Sequence, residues 1–174
     1  CGKIVRYGIQ KLKDKRKSNF VIFDETDSTA LIKEAIKFLN LDDKRYKPTS
    51  IKAAISSAKN KMQCAYEFTS KAEDYFSDKV GRIYHKYEEL LIENNAVDFD
   101  DMLMLCVKLL EQNPEVREKY FSKFQHILVD EFQDTNQAQY RLVNILYTNL
   151  SDQHMENRSL CVVGDVDQSI YSWR

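Results

Sequence analysis

The 174-residue sequence predicts an α/β fold rich in helix, in which an all-helical stretch precedes a parallel strand-helix-strand unit. Three observations lead there. From Cys1 to about Asn95 the apolar residues recur at three- and four-residue steps, the period of one helix face. Beyond Asn95 two short apolar runs, His126-Ile-Leu-Val129 and Leu160-Cys-Val-Val163, end in charge or glycine, the pattern of strands buried on both faces. One amphipathic helix lies between them, and such a crossover of about 38 residues joins parallel strands.

Taken in order, Ile4, Gly8 and Leu12 give a first helix that frays into a Lys/Arg run. Ser18 to Phe23 is a short apolar stretch. Asp24-Glu-Thr-Asp-Ser28 supplies caps for a helix carrying Ala30, Leu31, Ala35, Ile36 and Leu39. Pro48-Thr-Ser50 opens a helix over Ile51 to about Met62. Phe76, Val80, Ile83, Tyr84, Tyr87, Leu90 and Leu91 mark the longest helix, about six turns. Val97 to Leu110 is helical, with Asp98, Asp100 and Asp101 at the end where the helix dipole favours negative charge. Residues 136–150 form a helix with Ala138, Leu142, Ile145 and Leu146 on one face, capped from Asp134 and Thr135.

Composition narrows the function classes. Hydrophobic content of 43%, charged content of 30% and a net charge of −1 describe a folded chain that is neither disordered nor uniformly basic. No apolar run nears the roughly 20 residues of a membrane span, and no signal-peptide stretch opens the chain, so a cytoplasmic protein without membrane partners is expected. Cys1, Cys64, Cys106 and Cys161 are too widely spaced for a metal knuckle or a disulfide framework and read as reduced thiols. The four glycines, Gly2, Gly8, Gly81 and Gly164, cannot compose a phosphate-binding loop of the G-x-x-x-x-G-K-[ST] form. Residues 1–20 carry seven basic side chains against one acid, either a phosphate-contacting stripe or a solvated helix end.

The chemistry sits at the strand ends. Asp130-Glu131 follows the first strand directly, and paired carboxylates there suit nucleotide hydrolysis: one holds Mg²⁺ and the next takes a proton from the attacking water. After the second strand, Gly164 permits a turn and Gln168 offers an amide able to sense phosphate. Tyr171, Trp173 and Arg174 then supply two rings and a cation, the equipment on which single-stranded bases stack. A core role for Tyr171 and Trp173 is the competing reading.

Ile127-Leu-Val-Asp-Glu-Phe-Gln-Asp-Thr-Asn136 resembles motif II, and Val163-Gly-Asp-Val-Asp-Gln-Ser-Ile-Tyr-Ser-Trp-Arg174 resembles motif III, of superfamily 1 DNA helicases of the UvrD/Rep/PcrA type. Val97-Asp-Phe-Asp-Asp-Met102 is similar to the L-D-F-D-D-L stretch before motif II, and Ile55-Ser-Ser-Ala-Lys-Asn60 to part of that family's helical insertion. The resemblance implies a central fragment: residues 1–12 as a helix of the first RecA-like P-loop NTPase domain, 13–96 as the insertion, and 97–174 as the carboxyl half of that domain. It implies a parent that couples ATP hydrolysis, with Mg²⁺, to 3′–5′ translocation on single-stranded DNA and to unwinding at single/double-strand junctions, in repair or replication.

By the same resemblance Asp130 would bind Mg²⁺ through water, Glu131 would be the general base, and Gln133 would couple the nucleotide site to its surroundings. Gln168 would reach the γ-phosphate. Tyr171, Trp173 and Arg174 would contact DNA, with Lys59 and the Lys11–Lys17 run as candidates for phosphate contact. Asp98, Asp100 and Asp101 read as helix-end charge, with a metal site as the alternative. Phe132 stands where Tyr is frequent and Val166 where a small residue or Pro is usual. Lacking a P-loop, the fragment is expected to be inactive alone, to bind DNA weakly, and to present strand edges that invite self-association. A helicase-nuclease subunit and a non-catalytic DNA-binding module are the alternatives, with a metal-dependent nuclease built on Asp130, Glu131, Asp165 and Asp167 the weakest.

Overall fold

The computed structural model describes residues 1–12, 14–148, 158–165 and 167. Among them are eight α-helices and two small parallel sheets, so the chain is α/β and rich in helix. Helix α1 (Gly2–Gly8) passes into a 3-10 turn at Ile9–Leu12 and buries Ile4, Val5 and Ile9. The apolar stretch after the basic run is a strand, β1 (Val21–Ile22), and it pairs in parallel with β2 (Ala96–Val97). The sequence reading of residues 1–95 as helical throughout is corrected here. Two-residue strands are too short to show an alternation, and the partner lies far along the chain.

Helix α2 (Glu25–Phe38) starts where expected, because Asp24 and Asp27 exchange backbone and side-chain hydrogen bonds of 2.9 and 3.2 Å. Pro48 opens α3 (Pro48–Asn60) in the first turn, where its missing N–H costs nothing. Helix α5 (Tyr75–Glu93) is capped by Asp74, whose carboxylate accepts from Ser77 N at 2.8 Å, and it buries Val80, Ile83, Tyr84, Tyr87, Leu90 and Leu91. The short α4 (Ala65–Ser70), too brief for a periodic signal, packs across α5.

The close approach of α4 and α5 depends on Gly81. A methyl group there would run into the Thr69 side chain and lie 3.3 Å from the Thr69 Cα. Gly81→Ala is therefore expected to destabilise the chain by about 1–3 kcal/mol through overpacking. Thermal unfolding of the variant checks this.

Two apolar cores result. The first joins α2, α3, α4 and α5 around Ile32, Ile36, Ile51, Ile83 and Tyr84. The second gathers Ile4, Val5 and Phe20 onto α6 (Phe99–Gln112), α7 (Pro114–Lys123) and Ile145 of α8 (Gln137–Tyr147). Strand β2 sits on the seam, with Ala96 in the first core and Val97 in the second.

The second sheet pairs β3 (His126–Val129) with β4 (Ser159–Val162) in parallel, His126 opposite Ser159 and Val129 opposite Val162. The crossover expected from sequence is thus present. Burial of both faces is not: Leu128 is 79% exposed and Val162 48%. Among the described residues this sheet has two strands, too narrow to be covered on both sides.

Candidate active site

Asp130 is the first residue beyond β3. Glu131 follows with φ 51° and ψ 43°, a left-handed backbone that a residue with a Cβ adopts only when its surroundings hold it there. One such hold is local: Asp130 Oδ1 accepts from Glu131 N at 2.9 Å. The chain then makes a 3-10 turn over Phe132–Asp134.

That turn is fastened to the end of β4. Val163 N donates to Val129 O at 2.8 Å, and Phe132 N donates to Val163 O at 3.0 Å, carrying the ladder one step past the sheet. Gln133 completes the link. Its Nε2 donates to Glu131 Oε2 at 2.6 Å, and its Oε1 accepts from Asp165 N at 3.0 Å. The two strand-end loops, separate in sequence, are thereby one hydrogen-bonded unit.

Helix α8 begins immediately after. Its cap is Asn136, not the expected Asp134 and Thr135: Asn136 accepts from Gln139 N at 2.9 Å and the Gln139 amide returns a 3.0 Å bond. The 3-10 turn carries the chain two residues further before the helix starts. Asn136 Nδ2 also donates to Asn60 Oδ1 at 2.9 Å, tying α8 to the end of α3. Asn136→Ala is expected to cost about 1 kcal/mol as a lost cap, measurable in a denaturant titration.

Asp130 and Glu131 are exposed and border a depression of about 440 Å³ that Asp134 and Thr135 also line. Asp134 Oδ1 is buried without a hydrogen-bond partner. Among the described residues no group of three or more His, Cys, Asp or Glu is placed to hold a metal. The carboxylates of Asp130 and Glu131 are oxygen donors of the kind a hard cation such as Mg²⁺ takes while it keeps most of its waters.

A family model described as the UvrD/REP helicase N-terminal domain matches residues 1–174, the whole chain. The chain belongs to the UvrD/REP helicase family. Relatives named ATP-dependent DNA helicase PcrA, from Staphylococcus aureus and Staphylococcus epidermidis, are each 42% identical to it over 174 residues. The alignment covers 100% of this chain and 23% of each relative, so the chain spans about a quarter of their length.

In this UvrD/REP-family chain Lys59 is not a phosphate contact, and the sequence expectation is corrected. Its side chain is fully buried, with Nζ 2.7 Å from Glu88 Oε1, 2.7 Å from Asp98 Oδ2 and 2.8 Å from Asp101 Oδ1. Burial opposes its charge, but the Asp101, Glu88 and Asp98 carboxylates more than offset this and hold its pKa well above the ordinary lysine value. Arg16, expected in a phosphate-contacting stripe, is also buried. Its guanidinium pairs with Asp14, Glu88 and Asp101 at 3.1 to 3.4 Å. Lys11 pairs with Glu115 at 2.9 Å, whereas Lys15 and Lys17 are exposed.

The acids at the start of α6 divide. Asp98 caps the helix, accepting from Asp101 N at 2.6 Å, and also accepts from the Tyr87 hydroxyl at 2.9 Å. Asp100 is half-buried at the helix start. Asp101 is fully buried, and burial together with Asp98 and Glu88 pushes its pKa up to about 7 against the pull of Lys59 and Arg16. Asp98 and Asp101 pair with Lys59, and Asp101 also with Arg16, as an ionic junction at the start of α6.

Gln168, Tyr171, Trp173 and Arg174 lie outside the described residues. One residue with clear structural work carries no signal in the sequence. Arg158 donates to the Phe121, Phe124 and Leu146 carbonyls at 2.6 to 2.8 Å, anchoring the start of β4 to the ends of α7 and α8. Gly164 stands where a Cβ would come within 2.6 Å of Gln133 Oε1. Gly164, read from sequence as permitting a turn, shows this close approach only once Gln133 is beside it.

No described helix is long and apolar enough to cross a membrane.

Proposed function

We propose that these residues are part of an ATP-dependent DNA helicase that couples ATP hydrolysis to 3′–5′ movement on single-stranded DNA. The observation carrying this reading is the fastening of the Asp130-Glu131 tip to the loop after β4, within a chain of the UvrD/REP family. Residues 1–12 and 97–174 belong to a RecA-like motor domain and 13–96 to a helical insertion, a division that the two apolar cores support except at Phe20 and Met62, which pack with the second.

In this motor Asp130 holds Mg²⁺ through water, and Glu131 accepts the proton of the attacking water. Mg²⁺ held there by Asp130 would supply charge stabilisation to the phosphates of ATP. Gln133 couples the nucleotide site to its surroundings. Gln168 reports on the γ-phosphate, while Tyr171, Trp173 and Arg174 meet the DNA strand. The relatives named as helicases are ATP-dependent and act on DNA, in accord with this assignment.

Strand displacement by a full-length chain carrying these residues tests the reading. A duplex with a 3′ single-stranded tail should be opened in the presence of ATP and Mg²⁺, and a 5′-tailed one should not. Equal opening of both, or of neither, would sink it. The 174 residues alone are expected to turn over no ATP, to bind single-stranded DNA weakly with strong salt dependence, and to self-associate through the open β3/β4 edges. Size-exclusion chromatography across a concentration series reads the last of these.

A further inference from the structure

We propose that Gln133 and Gly164 act as a pair that positions Glu131: the Gln133 amide holds the Glu131 carboxylate, and the missing side chain at Gly164 makes the room that amide needs. This rests on the assignment of Glu131 as the base above.

Glu131 leaves β3 in a left-handed conformation and is exposed, so its backbone alone does not fix where the carboxylate points. Gln133 does. Its side chain is gripped at both ends, by Glu131 Oε2 at 2.6 Å through Nε2 and by Asp165 N at 3.0 Å through Oε1. An amide held this way has its donor and acceptor ends assigned by its partners, since a carboxylate can only accept and a backbone N–H can only donate. Turning the amide over would place two acceptors together and two donors together.

Gly164 is the other half of the arrangement. A Cβ there would sit 2.6 Å from Gln133 Oε1, 3.3 Å from Phe132 N and 3.4 Å from Gln133 N. The last two contacts are tight but tolerable with small shifts. The first is too close to keep, and because Oε1 is the free end of a side chain while the other two atoms are backbone, it is the Gln133 amide that must move. A methyl group at position 164 therefore displaces the Gln133 side chain, and Glu131 loses its donor although neither Glu131 nor Gln133 has been changed. Gln133→Asn shortens the side chain by one methylene, so it cannot span both partners. Gln133→Glu puts a second carboxylate beside the first and replaces a donor with an acceptor.

The test uses a full-length chain with single-stranded DNA saturating. Gln133→Ala and Gly164→Ala should each lower kcat for ATP by about 10- to 100-fold, the scale expected when a reacting group is misplaced by an ångström, with KM for ATP and DNA affinity within twofold. The double variant should be no slower than Gln133→Ala, because the atom that the new methyl group strikes is gone. A merely structural role predicts something else: additive losses of kcat, accompanied by a lowered melting temperature and raised KM. Additivity, or a Gly164→Ala variant with wild-type kcat, overturns the proposal. If Glu131→Gln abolishes turnover and Gln133→Ala keeps the wild-type kcat, this inference fails while the assignment of the base stands. If Glu131→Gln retains full turnover, the assignment itself fails.

Discussion

Lys59→Met is expected to destabilise the 174-residue chain by about 3–5 kcal/mol, the cost of leaving buried carboxylates without their counter-charge. At about 2–4 °C per kcal/mol for a chain of this size, the melting temperature should fall by roughly 6–20 °C. The reasoning is that Lys59 is fully buried and touches Glu88, Asp98 and Asp101 within 2.8 Å, and the Arg16 that remains bonds Glu88 and Asp101 only at 3.3 and 3.4 Å. Methionine keeps the volume, so packing loss contributes little.

The loss should also depend on pH in a defined direction. Asp101 already titrates at about 7, above the ordinary carboxylate value, so the folded state holds a proton that the unfolded state has released between about pH 4 and 7. Stability linked to that group is present at low pH and fades as pH rises through its folded value. Asp98 runs the other way at present: burial pushes it up, Lys59 pulls it down further, and the net is a lowered pKa. Removing Lys59 reverses Asp98 and raises Asp101 again. Both then favour the protonated fold, and the deficit of Lys59→Met should be smaller at pH 5 than at pH 8. An unchanged melting temperature together with weakened, less salt-sensitive DNA binding would return Lys59 to the role its sequence context suggested.

Glu131→Gln in a full-length chain should lower ATP turnover by about 10²- to 10⁴-fold, the contribution typical of general base catalysis. Glutamine preserves the shape and can still accept from Gln133 Nε2 through its carbonyl oxygen, so the loop that Gln133 and Asp165 build should survive. ATP affinity should therefore be kept while kcat collapses, a change confined to the transition state. Asp130→Asn differs. It weakens the cation contact, so its defect should shrink as Mg²⁺ is raised, whereas that of Glu131→Gln should not. Initial rates over a Mg²⁺ series separate the two roles.

Helices α2, α3 and α5 of the first core were legible because each carries its own signal: Asp24 as a cap, Pro48 at a helix start, and a long 3- and 4-residue period from Val80 to Leu91. Strands β3 and β4 were legible as apolar runs, but their exposure was not, since a run of Ile, Leu and Val says what a strand can bury and not what is there to cover it. Strands β1 and β2 went unread because two residues define no period. At the site, Asp130 and Glu131 were found from position at a strand tip, a local property. Lys59 was misread for the complementary reason. A lysine beside Ser and Asn on a helix looks solvated until α5 and the start of α6 bring three carboxylates around it. The partnership of Gln133 with Asp165 was equally invisible, for it joins loops 32 positions apart.

ATP turnover by a full-length chain, titrated with single-stranded DNA, tests the central claim most directly. Hydrolysis should be slow without DNA, rise to saturation as the strand is added, and fall by about 10²-fold or more in Glu131→Gln at every DNA concentration. A rate indifferent to single-stranded DNA, or a Glu131→Gln variant that keeps the wild-type rate, would contradict the assignment of this strand-tip loop to a DNA-driven ATPase.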